Sequence, residues 1–166
     1  AAVGWHRYGL LAERPGTLLA RFDMAHFWSY AWTAIKLGFI SVVLLIPASI
    51  AITAVAINTA IFSLAIAVTA IVVTAIVLRL SLALPAAAIG EPLSLRASFA
   101  ATQGRMGTFF ALAVALALLS NVAEFGFGAG WIGLVVGLIL QWFSLVLGLS
   151  VLTTLYGVCV ENRSLD

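Results

Sequence analysis

The chain has 166 residues, 64% of them hydrophobic and 8% charged, with a mean hydropathy of +1.19, a formal charge of +2 and pI ≈ 9.1. Soluble domains are roughly 45–50% apolar and about 25% charged, so this composition excludes a water-soluble fold and makes the bilayer the solvent. The basic residues are scattered rather than clustered on one face, which excludes a nucleic-acid surface. The single cysteine, Cys159, excludes an internal disulfide and reads as a passive thiol.

The chain reads as a single membrane domain, 1–166. Residues 1–26 form an amphipathic stretch in which Trp5, Tyr8, Leu10, Leu11, Leu18, Leu19 and Phe22 lie among three arginines and two acids. Pro15-Gly16 divides it. It is expected to lie on the membrane surface, with Trp5 and Tyr8 at headgroup level. Its start lacks a signal-peptide pattern, so a further upstream segment, including a span, is expected.

Span 1 is expected over 27–57. Its apolar centre, Leu37 to Ile57, is long enough to cross about 30 Å. Trp28, Tyr30, Trp32 and Lys36 mark one interface, and Pro47 should kink the helix. Asn58-Thr59 makes a short uncharged turn into span 2, 60–82, where Arg79 is expected to snorkel to the interface.

The longest internal connection is 85–107. Gly90-Glu91-Pro92 breaks the chain, and Pro92 suits the first turn of a short interfacial helix ending near Gly104. Span 3 is expected over 108–125, followed by a glycine-rich turn from Gly126 to Gly130. Span 4 covers 131–158, and a polar tail 159–166.

All eight basic residues (Arg7, Arg14, Arg21, Lys36, Arg79, Arg96, Arg105 and Arg163) can be placed on one side of a membrane. Lys/Arg-rich connections stay cytoplasmic, which implies an even number of crossings with both termini in the cytoplasm. The fold class is therefore all-α: four transmembrane helices as two antiparallel hairpins, with cytoplasmic interfacial amphipathic helices.

Span 4 carries the sharpest pattern. Gly130, Gly133, Gly137, Gln141, Ser144 and Gly148 fall within an arc of about 80°, at ~100° per residue. Trp131 and Trp142 project from nearly the opposite side. Small residues let helices approach closely in lipid, and Gly133 to Gly137 is a GxxxG. A matching strip on span 2 is Ala60, Ser63, Ala67, Ala70 and Thr74. Two readings stand: packing of span 4 on span 2, and docking onto another protein. Gln141, the one strongly polar side chain near mid-span, reads as interhelical glue or as a substrate or ion contact. The interface anchors are Trp5, Tyr8, Trp28, Trp32, Lys36 and Arg79.

Candidate chemistry is sparse. The histidines, His6 and His26, lie in the amphipathic start rather than in an apolar centre, where intramembrane haem or pigment ligands are usually drawn. No acid or base is placed in the spans to activate a nucleophile. Asn121 and Glu124 fall near the outer surface and read as loop capping or, alternatively, a proton site. Gly126-x-Gly128-x-Gly130 joins two apolar helices and is no dinucleotide fingerprint. No catalytic residue, metal site or cofactor is expected; bound lipids are.

Trp5-His6-Arg7-Tyr8, Ala88 to Arg96, and Leu152-Thr153-Thr154-Leu155-Tyr156-Gly157 with Glu161 together resemble uncharacterised alphaproteobacterial multi-span membrane proteins. More distantly, the chain is similar to the membrane domain fused to some glycerophosphodiester phosphodiesterases. That activity belongs to a catalytic domain not found here, and the resemblance implies no functional residues. In that family an apolar segment often precedes the Trp-His-Arg motif, in keeping with an upstream span.

The expected function is that of a non-enzymatic accessory or structural subunit of a bacterial inner-membrane complex. The resemblance makes a photosynthetic or respiratory, hence bioenergetic, complex the natural setting. The partners are membrane lipids and other integral membrane subunits through protein-protein interaction, with no nucleic acid. The alternative is a small oligomeric transporter or lipid-handling protein in which Gln141 and Glu124 line a path.

Overall fold

A computed structural model describes residues 2–11, 24–55, 58–127 and 130–163. Expectations that fall on 12–23, including the break at Pro15-Gly16, on Gly128 and Ala129 of the glycine-rich turn, and on the last three residues of the tail lie outside the described residues.

Every regular element among the described residues is helical. In chain order these are α1 (Ala2–Leu11), α2 (Met24–Val55), α3 (Thr59–Leu80), α4 (Ala83–Ile89), α5 (Leu95–Ala101), α6 (Met106–Phe127) and α7 (Gly130–Cys159). Three runs are long and apolar enough to cross a membrane: Met24–Ala54, Thr59–Ile89 and Gly130–Cys159. A fourth is reached if α5 and α6, bent by 105° at the break between them, count as one broken crossing. Only 11% of the most apolar window of each long run is buried within the chain. Such apolar surface is stable only against lipid or other apolar helices.

Local chemistry sets the element ends. Asn58 caps α3, its side chain accepting a hydrogen bond from the Ile61 amide at 2.9 Å. The Ser81 amide still bonds to the Val77 carbonyl, after which the chain turns into α4. Gly90 ends α4 with φ +86, the left-handed region that glycine enters without a Cβ penalty. A Cβ there would also meet His26 Nε2 at 2.6 Å. Ser94, rather than Pro92, starts α5: its hydroxyl accepts from the Ala97 amide at 3.1 Å. The helix therefore begins three residues beyond the proline. α6 continues through Gly126 to Phe127, so the turn expected from Gly126 is shorter.

The packed core sits at one end of the bundle rather than along its length. Leu10 of α1, Leu82 before α4, Ala86 of α4, Phe109 of α6 and Tyr156 of α7 form one buried cluster. α4 is thus largely interior, with Ala83, Pro85, Ala86, Ala87 and Ala88 all buried. The small alanine side chains let α1, α2 and α7 close around it. Part of the 85–107 connection, ahead of the helix expected on the membrane surface, is therefore core.

Along the bundle α2 packs on α3, and α6 packs on both α3 and α7. α6 takes this position because it is alanine-rich: Ala113 is fully buried and Ala117 half-buried. The close pairing expected between the strips of spans 2 and 4 is replaced by the pairing of each helix with α6. Ala60, Ser63, Ala67 and Ala70 are exposed and Thr74 is half-buried.

Candidate functional site

Three arrangements gather the polar side chains, and two of them lie at the core end. The first is built on Arg79. It does not snorkel; it is 6% exposed. Its Nε donates to Thr102 Oγ1 at 2.8 Å, and a terminal nitrogen donates to the Phe99 carbonyl at 3.1 Å. The other terminal nitrogen lies 3.3 Å from Met106 Sδ, and the guanidinium stacks 3.7 Å from the centre of the Phe99 ring. Ser98 Oγ donates in return to the Arg79 carbonyl at 2.6 Å, satisfying one of the carbonyls that α3 leaves free at its end. The guanidinium finds its partners 20–27 residues along the chain, on α5 and at the start of α6. All of them are uncharged.

The second arrangement holds α1 against α7. His6 is fully buried, and its Nδ1 lies 2.8 Å from Thr153 Oγ1. Thr153 Oγ1 itself donates to the Leu149 carbonyl at 2.7 Å, so the imidazole Nδ1 carries the hydrogen for that contact. Nε2 is then the acceptor nitrogen; it is buried and without a hydrogen-bond partner among the described residues. Burial pushes the His6 pKa down from 6.5 to about 4. The Tyr30 ring lies 5.9 Å away, tilted by 39°. Gly9, one turn further along α1, lets the two helices touch: a Cβ on it would sit 2.8 Å from Thr153 Cγ2. Arg163 completes the clasp by donating to the Leu10 carbonyl at 2.9 Å while paired with Glu161. His6 is therefore a core residue, not the plain interface residue its amphipathic segment suggests.

The third arrangement is the α7 strip. Gly133 and Gly137 are buried where α7 runs beside α6. Ser144 and Gly148 are half-buried, and the Ser144 hydroxyl donates to the Leu140 carbonyl of its own helix. Gly130 is exposed at φ +70, opening the helix. Gln141, at the edge of the arc, is exposed, and its carboxamide makes no hydrogen bond among the described residues.

The remaining candidates are placed simply. Trp5, Tyr8, Trp28 and Trp32 are exposed, and the Lys36 ammonium lies 5.6 Å from the centre of the Trp32 ring. Asn121 donates to the Ala117 carbonyl of its own helix at 2.7 Å, while Glu124 is exposed, so the two form no joint site. Arg105 reaches the Val158 carbonyl and Cys159 Sγ, both at 3.4 Å. Among the described residues no group of three His, Cys, Asp or Glu could hold a metal ion.

Two open concavities flank the core end. One, of about 350 Å³, lies between α1 and α7 and is lined by Trp5, Tyr8, Ser150, Thr154 and Arg163 among others. The other, of about 500 Å³, lies between α2, α3 and α5. Ile40, Leu80, Leu95 and Phe99 form its apolar walls, and Arg96 and Gln103 its polar edge.

The six described basic residues gather at this end. Arg7 contacts the Ala88 carbonyl, and Arg79, Arg105 and Arg163 hold the partners given above. Arg96 borders the larger groove, and Lys36 lies one turn before Ile40 of the same groove. No family model, curated protein or solved structure matches the chain.

Proposed function

We propose that the protein is a non-enzymatic structural subunit of a bacterial inner-membrane assembly, working through helix packing. In this reading α2–α3 and α6–α7 are two antiparallel transmembrane hairpins, and both termini are cytoplasmic. The gathering of basic side chains at the α1–α4–α5 end supports that orientation, since Lys and Arg are retained on the cytoplasmic side.

The observation that carries the docking role is Gln141. A carboxamide in the middle of an apolar helix is costly in hydrocarbon unless it is hydrogen-bonded. Gln141 is exposed and has no partner among the described residues. At ~100° per residue, Leu134, Leu138 and Leu145 flank it on the open side. A helix of another subunit seated there would satisfy the amide and cover those leucines. The buried glycines then serve the internal fold, and Gln141 the external contact.

The test is co-purification from native membranes. Gln141→Leu should release the partner while the chain remains folded. Gly133→Leu should instead damage the pairing of α6 and α7. Full retention of partners by the Gln141 variant contradicts the docking role.

A lipid-handling role is the second reading. The apolar groove with its Arg96 edge favours it. Lipid flux in vesicles that is abolished by Arg96→Gln, with assembly intact, would select it.

A further inference from the structure

We infer that the groove between α2, α3 and α5 is a binding site for a single anionic phospholipid. Its walls are apolar. Ile40 of α2 and Leu80 of α3 lie on the spanning helices, and Leu95 and Phe99 come from α5, which is bent 105° away from α6. The edge is polar: Arg96 and Gln103 sit on the α5 side. This is the division an amphipathic ligand requires, with acyl chains along α2 and α3 and a headgroup at α5.

Charge selects the headgroup. Arg96 is exposed and carries no hydrogen bond or ion pair among the described residues, and the Gln103 carboxamide is equally uncommitted. Behind the groove lies a second cation. The Arg79 guanidinium stacks on Phe99, itself a groove wall, and among the described residues bonds to a hydroxyl, a carbonyl and a thioether and to no carboxylate.

A buried guanidinium without a carboxylate leaves its charge uncompensated, and low surrounding polarity extends its field. The described carboxylates do not answer it. Glu161 pairs with Arg163, Glu124 is at the other end of α6, Glu91 is exposed in the turn between α4 and α5, and none of the three lines the groove. A phosphodiester placed at Arg96 meets a planar fork of donors and lies beside the Arg79 field. Basic pockets between transmembrane helices take anionic headgroups by this chemistry. The site does not depend on the docking face of α7, because it involves neither Gln141 nor a partner subunit.

The test uses the full chain in nanodiscs of equimolar phosphatidylglycerol and phosphatidylcholine. Lipids retained on the protein after release are counted by native mass spectrometry. The expected result is one preferentially retained phosphatidylglycerol. Arg96→Gln should lower that preference about fivefold, the effect of losing one cation near an anionic headgroup. Arg96 holds no hydrogen-bond or ion-pair partner among the described residues, so this variant should unfold at the same temperature as the wild type.

Arg105→Gln serves as the control, because that side chain faces Val158 and Cys159 rather than the groove. It should leave the preference unchanged. Equal retention of the two lipids by the wild type overturns the inference. So does an Arg96→Gln variant indistinguishable from wild type, or an Arg105→Gln variant as impaired as Arg96→Gln. Competition by millimolar glycerol 3-phosphate as effective as that by the lipid also overturns it, since the acyl chains would then contribute nothing.

Discussion

Arg79 Nε and Thr102 Oγ1 lie 2.8 Å apart, tying the end of α3 to the end of α5 across 23 residues of chain. The bond sets the angle at which α5 leaves the bundle, because the same guanidinium holds the Phe99 carbonyl and covers the Phe99 ring. Thr102→Val keeps the side-chain shape and removes the acceptor. It leaves a buried charge short of one partner and should destabilise the fold by about 1–3 kcal/mol. Arg79→Met removes the charge itself and should cost less, because an apolar side chain of similar length needs no partner. Thermal unfolding of both variants in one detergent checks the order. Equal stability of Thr102→Val and wild type contradicts it.

The return bond from Ser98 gives a second prediction. Its hydroxyl is the side-chain donor to the Arg79 carbonyl and also lies 3.2 Å from the Leu80 carbonyl. Ser98→Ala leaves these carbonyls at the end of α3 without that donor. A loss of about 1–2 kcal/mol is expected, with faster amide exchange at the α3–α4 junction.

Gly9 and Thr153 give a steric prediction. Gly9→Val places new carbon against Thr153 Cγ2, 2.8 Å from where the Cβ must stand. Neither side can yield easily, since Thr153 is itself buried. α1 should detach from α7, and hydrogen exchange over Ala2–Leu11 should rise at least tenfold while exchange in α6 stays unchanged. Gly4→Val, at a glycine with open space around it, should have no such effect.

Protonation of His6 should act on the same contact. In the docked helix the imidazole titrates at about 4, and in the undocked helix at the ordinary 6.5. Between these values the undocked state binds more protons, so docking weakens as pH falls from 6.5 towards 4. Above 6.5 both states are neutral and this contribution is pH-independent. Amide protection of α1 at pH 7.5 and pH 4.5, corrected for intrinsic exchange, reads the effect. His6→Phe should abolish the pH dependence.

The long helices were legible because hydropathy alone reports them: the runs expected at 27–57, 60–82 and 131–158 lie within or overlap α2, α3 and α7 almost throughout. Gly90 and Asn58 were legible as a break and a turn, because their chemistry is local. Arg79 was not. Sequence reports that a charge near a span end is expensive, but not that Thr102 and Phe99 fold back to receive it. His6 was hidden for the same reason, its partner being 147 residues away. The role of α6 was not legible because its alanines form no glycine motif, yet they are small enough to pack against both α3 and α7. The amphipathic groove has no contiguous signature, since Ile40, Leu80 and Arg96 come from three separate helices.

The most direct measurement of the docking claim is the mass and composition of the particle extracted from native membranes in a lipid-preserving medium. The expected result is a particle larger than the 17.4 kDa chain, containing other integral subunits at a fixed ratio. Gln141→Leu should reduce that ratio. Extraction as a lone chain or a homo-oligomer, unchanged by Gln141→Leu, contradicts the claim.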